Sequence, residues 1–120
     1  PHATAEAEEW LEVDLGEAKE LARIVLEPRR DTPAASGGLA GFPRTFQVEL
    51  ATEPGNYQTA ATFTDFPAPS NAGVTVDLYT VIGYPSAHYI RVAATRLGEP
   101  ARDEAGVYRL QLRRLRVEYP

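Results

Sequence analysis

The apolar positions of this chain fall mostly two apart, in short runs cut by proline, glycine and polar clusters. Trp10–Gly16 (WLEVDLG) sets Leu11, Val13 and Leu15 on one face and Glu12 and Asp14 on the other, the pattern of a half-buried strand closed by glycine. Glu17–Ala22 has helix-forming residues, but six positions between two strands are too few for a stable helix, so a turn is expected there. Arg23–Leu26 reads as a strand with Ile24 and Leu26 inward, and Arg44–Leu50 as one with Phe46, Val48 and Leu50 inward. Tyr57–Thr64 is a weaker strand around Ala61 and Phe63. Gly73–Leu78 aligns Val74, Val76 and Leu78, and His88–Ala94 aligns Ile90 and Val92. In the last run, Val107–Tyr119, the apolar phase changes from Leu110 and Leu112 to Leu115, Val117 and Tyr119. One extra residue at Arg113-Arg114 restores a single buried face, so a β-bulge is expected there.

Short strands, no convincing helix and turn residues every 8–14 positions predict an all-β antiparallel sandwich. Residues 1–9 are small, polar and acidic and read as a lead-in to one domain spanning 1–120. If each connection reverses the chain, the loops sort by parity. Residues 1–9, 28–43, 65–73 and 96–107 then share one end, and the tight turns at 16–20, 52–57 and 80–86 share the other. The first group carries Arg29, Arg30, Asp31, Asn71, Arg96 and Asp103, with Tyr108 nearby. Gathering long loops on one end suits a binding rim on a rigid scaffold. The loop after Leu26 stands out, because its span of about 14 residues exceeds the usual ~4–6 and it has two guanidiniums and a carboxylate at its root. The plain alternative is a solvated surface loop.

Composition narrows the function classes. A net charge of −5 argues against nucleic acid, which calls for a basic face. No apolar run approaches the ~20 residues of a membrane-spanning helix. Cysteine is absent, which removes disulfides, thiolate metal sites and cysteine nucleophiles. Methionine is absent and the chain begins at Pro1, so a processed or excised piece of a larger protein is expected. His2 and His88 lack metal-ligand spacing, and Ser36, Ser70 and Ser86 have no elbow motif or evident base.

Several runs together resemble one family. Trp10–Gly16 is similar to the "W-hydrophobic-x-V-D-L-G" strand of discoidin-like domains, also called coagulation-factor type C domains. Leu26-Glu27-Pro28-Arg29-Arg30-Asp31 resembles their "L-x-P-R-x-D" strand end, and residues 42–49 resemble the strand that follows in bacterial members. His88–Val92 matches "R-Y-I/V-R-V" with histidine in the first place, and Tyr108–Val117 matches the closing strand. The resemblance covers roughly residues 10–118. It implies a galactose-binding-like jelly-roll sandwich that serves in bacteria as a non-catalytic carbohydrate-binding module of glycoside hydrolases. It further implies an extracellular or periplasmic setting, and a glycan and the other domains of a parent chain as partners. By the resemblance Arg29 contacts sugar hydroxyls and Tyr108 stacks on the sugar. The family's first strand and its "D-G-x-x-x-T-x-W" loop are missing or degenerate here, and Arg114 stands where the final-strand glutamate near the calcium site belongs.

The residue chemistry agrees with a sugar site. The guanidinium fork of Arg29 spans two adjacent hydroxyls, and Asp31 accepts from a third, with Arg30 at the margin. Tyr108 offers a ring face to sugar C–H groups. No enzyme activity and no cofactor are expected. Calcium stays open through Glu99, Asp103 and Glu104 with Glu6, Glu8 and Glu9, although solvated acidic loops are the commoner explanation. Trp10, on the polar phase of its strand, is expected to pack under the lead-in rather than to serve as a stacking platform. The competing reading is a structural or protein-interaction sandwich that has lost its sugar site.

Overall fold

The computed structural model describes residues 1–69 and 72–120; Ser70 and Asn71, the latter one of the loop residues singled out above, lie outside the described residues. Seven strands are described: β1 (Glu6–Glu20), β2 (Arg23–Glu27), β3 (Thr45–Ala51), β4 (Gln58–Phe63), β5 (Val74–Asp77), β6 (Ser86–Arg96) and β7 (Arg114–Glu118). They form a four-stranded sheet in the order β1-β6-β3-β4 and a three-stranded sheet in the order β5-β2-β7. Every pairing is antiparallel. Among the described residues no helix is long and apolar enough to cross a membrane.

Strand alternation builds the core. Phe46, Val48, Ile90 and Val92 point in from the larger sheet and Ile24, Leu26, Val74 and Val76 from the smaller one, all within one buried cluster. Each such side chain contributes about 1.5–3 kcal/mol by leaving water. Aromatic rings extend this core toward the long loops. Phe46 stacks on Phe63 at 4.8 Å and meets Phe42 edge-on at 5.8 Å, while Phe42 lies 5.5 Å from Phe66. Phe42 ends one long loop and Phe66 begins another, so the rim rests directly on the core.

Because neighbouring strands all run antiparallel, the segments 1–5, 28–44, 64–69 and 97–113 share one end, as parity predicts. Direct contacts join them: the Leu97 amide donates to the Ala5 carbonyl, Phe66 to Arg44 and Gly41 to Glu99. The opposite end carries tight turns and exposes Val81 and Ile82 almost completely, beside Tyr79 and Tyr84.

Four expectations are corrected. The lead-in is shorter than residues 1–9, because β1 begins at Glu6, which pairs with Arg96. Alternating Glu6, Ala7 and Glu8 suits an edge strand with charges on its solvent face. The expected turn at 17–22 is a strand that bulges and goes on to Glu20. Asp14 faces Tyr89 and Lys19 faces Ala87, five steps on β1 against two on β6. Gly16, at φ +87°, takes up that excess, and its amide donates to Asp14 Oδ1 at 2.8 Å. The phase change at Arg113-Arg114 marks the start of β7 rather than a bulge within a longer strand, since residues 109–112 pair with no strand. Finally, Trp10 is 62% exposed on the outer face of β1 and does not pack under the N-terminal segment.

Candidate functional site

The apolar alternation of β2 ends at Leu26, and Pro28 is fully buried behind it. Pro28 has no amide hydrogen to extend a ladder, so the chain leaves the sheet with Arg29 at the surface. Arg29 Nε lies 3.4 Å from Asp31 Oδ1, and its Nη2 donates to Oδ2 at 3.5 Å. Thr32 Oγ1 donates to Asp31 Oδ1 at 3.1 Å. The Arg29 hydrogen bond first, then those from Thr32 and the Asp31 amide, hold the Asp31 carboxyl below the ordinary aspartate range. Behind this pair the Glu27 carboxylate takes Arg114 and lies 3.8 Å from Arg113. Its pKa is lowered too, chiefly by the Arg114 hydrogen bond.

The loop itself is pinned by its backbone. The Ala34 amide donates to the Gly38 carbonyl and Ala40 to Thr32, both at 2.8 Å. Arg102 donates to Pro33 and Gln111 to Gly41, both at 2.9 Å, and Leu39 to Pro69 at 2.8 Å. Ala34, Ala40 and Ala101 form a small apolar cluster between the loops. At Gly98 the chain passes so close to its neighbour that a Cβ would sit 2.2 Å from the Phe42 carbonyl oxygen. Satisfied amides, small buried side chains and this close approach make a fixed rim rather than the freely solvated loop of the plain alternative.

Arg29 and Asp31 stand as a ridge between two open depressions. One, of about 520 Å³, is lined by Arg29, Asp31, Thr32, Pro33, Arg102, Asp103 and Glu104. The other, of about 360 Å³, is lined by Arg29, Arg30, Asp31, Leu112 and Arg113. The structure therefore brings Arg29, Arg30 and Asp31 together. Tyr108 lines neither depression; its ring is half-buried on the core, and its backbone pairs with His2 in both directions at 2.8 Å. Thr32 and Arg102 were not singled out in the sequence, and Glu104 was weighed only for calcium. Parity offered a signal for the last two, by setting the 96–107 loop beside the root of 28–43. Arg109 Nη2 donates to Glu104 Oε2 at 2.9 Å, which holds that carboxylate at the edge of the first depression.

The carboxylates considered for a calcium ring are dispersed. Glu9 takes His2 at 2.7 Å, Glu6 lies 3.6 Å from Arg96, and Glu104 takes Arg109. Among the described residues no three acidic or histidine side chains come together to hold a metal ion. The ridge can offer a donor fork and an acceptor to a polyhydroxylated ligand, but no aromatic face lines either depression.

A family model, F5/F8 type C, described as NedA-like, galactose-binding domain, matches residues 2–92. Among curated proteins no sequence matches the chain. Among solved structures the chain is similar to chitosan-binding module 1 from a chitosanase/glucanase of Paenibacillus sp. IK-5, with a TM-score of 0.65 at 19% identity over 96% of this chain and 71% of that one. A selenomethionine-labelled single-residue variant of that module superposes with a TM-score of 0.66, also at 19% identity, over 95% of this chain and 70% of that one. These likenesses extend to the fold.

Proposed function

Because the chain belongs to the F5/F8 type C, galactose-binding-like family, we propose that it is a non-catalytic carbohydrate-binding module that holds a glycan on the Arg29–Asp31 ridge. The observation that carries this reading is the ridge itself: a donor fork and a fixed acceptor, held between two open depressions on loops pinned by backbone hydrogen bonds. A pre-ordered rim spends little of its binding energy on immobilising side chains. Arg29 takes two neighbouring hydroxyls, Asp31 a third, and Arg30 and Arg102 extend the contact to either side. In this reading the 120 residues are one module of a secreted or periplasmic glycoside hydrolase, whose other domains supply the chemistry. Tyr108 contributes a ring edge only to a ligand long enough to reach beyond both depressions.

An open, solvated rim gives weak binding, with Kd about 0.1–1 mM. Arg29→Ala removes charge-assisted hydrogen bonds of about 1.5–3 kcal/mol, a loss of roughly 10–150-fold. The melting temperature should stay nearly unchanged, because among the described residues this arginine is paired only with an exposed carboxylate. Calorimetry on wild type and variant, with ligands chosen from a glycan array, tests it. Equal binding by both proteins places the site elsewhere.

One observation favours a second reading, a protein-interaction sandwich. Val81 and Ile82 are 99% and 94% exposed on a tight turn closed by Thr80 and Gly83, at the end away from the loops. There an adjoining domain of a parent chain would cover them. A protein that binds no glycan on an array, and whose apolar turn is buried in the parent chain, would favour this second reading.

A further inference from the structure

Trp10 is the chain's one tryptophan, and its ring stands open on the outer face of the four-stranded sheet. The register explains why. Trp10 lies opposite Ala93 of β6, and Ala93 lies opposite Gln47 of β3. Alanine ends at its Cβ, so nothing from the neighbouring strand covers the indole. Around the ring is an open depression of about 230 Å³, to which Glu8, Glu9, Arg91 and Thr95 contribute polar walls. One row further along the sheet, Arg91 is held on two sides: its Nε donates to Glu49 Oε1 at 2.8 Å, and its guanidinium lies 4.0 Å from the centre of the Tyr57 ring. The Tyr57 hydroxyl is buried on this face, with Glu12 near it but in no well-formed hydrogen bond to it.

This arrangement differs from ordinary surface polarity in having one uncovered aromatic face beside a held arginine and several carboxylates. The charge of the rim selects the ligand. Glu8 and Glu12 lie on the outer face, Glu9 beside it is engaged by His2, and Arg91 is already matched by Glu49. An anionic sugar chain is repelled here. A chain that bears ammonium groups is attracted by the carboxylates, and its cation is also favoured over the indole face. We propose that the outer face of β1, β6 and β3 around Trp10 is a second glycan-binding surface, separate from the loop rim, that stacks a pyranose of a cationic amino-sugar chain on the indole. The inference rests on the carbohydrate-binding reading but uses none of the rim residues.

Because Trp10 is the sole tryptophan, its fluorescence reports this surface and not the rim. Titration with glucosamine oligosaccharides at low salt should give a saturable change in emission. That change should persist in Arg29→Ala and weaken about two- to fivefold in Glu8→Gln/Glu12→Gln. Fully N-acetylated oligomers and oligogalacturonates serve as neutral and anionic probes and should bind more weakly. Trp10→Ala, read by NMR shifts of Ala93 and Gln47, should lose the response while the rim resonances still titrate. No emission change up to ~10 mM oligosaccharide, well above the weak range expected for such sites, overturns the proposal and leaves the rim reading standing. Loss of the fluorescence response in Arg29→Ala also overturns it, since Trp10 would then be reporting the rim. Equal affinity for the N-acetylated probe overturns the charge argument and hence the amino-sugar assignment.

Discussion

The loop rim and the outer face of β1, β6 and β3 are built on the same sandwich by opposite means. The rim is assembled from three segments distant in sequence, and amide–carbonyl bonds and close backbone approaches hold it in place. Its side chains are mostly charged, Arg29 is paired with Asp31, and no aromatic lines its depressions. The sheet face draws on the connections only for Tyr57, just before β4. Strand alternation alone aims Trp10, Glu12 and Arg91 outward, and register alone sets Ala93 beside the indole. A donor fork with an acceptor and an open aromatic face, which a sugar site would combine, thus lie on two separate surfaces here. A loop site is adjustable in sequence but depends on every loop holding its place, whereas a sheet site is as stable as the sheet.

The sharpest way to break the comparison is to damage what both regions share. Phe46 is 1% exposed and stacks between the sheet core and the rings beneath the rim. Phe46→Ala should cost about 3–5 kcal/mol in denaturant unfolding and weaken both surfaces together. A smaller change should separate them. Gly98→Ala places a Cβ 2.2 Å from the Phe42 carbonyl oxygen, where backbone must move. It should cost about 1–3 kcal/mol, seen as a fall in Tm of roughly 5–15 °C. Amide exchange should accelerate in 28–44 and 97–113 while the β1–β6 ladder keeps its protection. Uniform acceleration across both regions would mean that rim and sheet open as one unit.

That separation also explains what was legible in the sequence. Alternation and parity are local rules, and they were enough for the two-sheet sandwich, the inward residues and the gathering of long loops at one end. The edges of β1 were not legible, because Glu6, Ala7 and Glu8 lack apolar bulk and declare a strand only through pairing with β6. Gly16 looks the same in sequence whether it ends a strand or carries a bulge. Arg29, Arg30 and Asp31 could be found because they are contiguous and sit at a strand end. Arg102 and Glu104 reach the same ridge through the Arg102–Pro33 and Gly41–Glu99 backbone bonds and the Ala34–Ala101 bridge, which leave no trace in residue type. Tyr108 was selected by family resemblance, and the ring lies outside both depressions. Trp10 was misjudged for a related reason: an aromatic on the polar phase of a strand is covered or open according to its cross-strand partner, and only the register names Ala93.

The smallest expected effects are those of pH, and they assign one edge of the stability profile to each region. At the rim the pKa values of Asp31 and Glu27 are lowered by Arg29 and Arg114 respectively. A carboxyl with a lowered pKa in the folded state stabilises the fold above its unfolded value, near 4, and this contribution fades as pH falls through the folded value. Asp31→Asn and Glu27→Gln should therefore each flatten the decline of Tm below about pH 4 without changing the alkaline side. On the sheet face the sign reverses. Burial of the phenol, followed by the nearby Glu12 carboxylate, pushes Tyr57 up to about 12. The neutral phenol then favours the fold fully below its unfolded pKa near 10, and the unfolded chain gains as pH rises from about 10 to 12. Absorbance at alkaline pH should show one of the six tyrosines titrating about two units after the ordinary range, and Tyr57→Phe should remove that phase and flatten the alkaline edge. If Tyr57 titrates near 10, its hydroxyl is solvated. The sheet face would then lack the fixed, covered base that distinguishes it from an ordinary exposed strand.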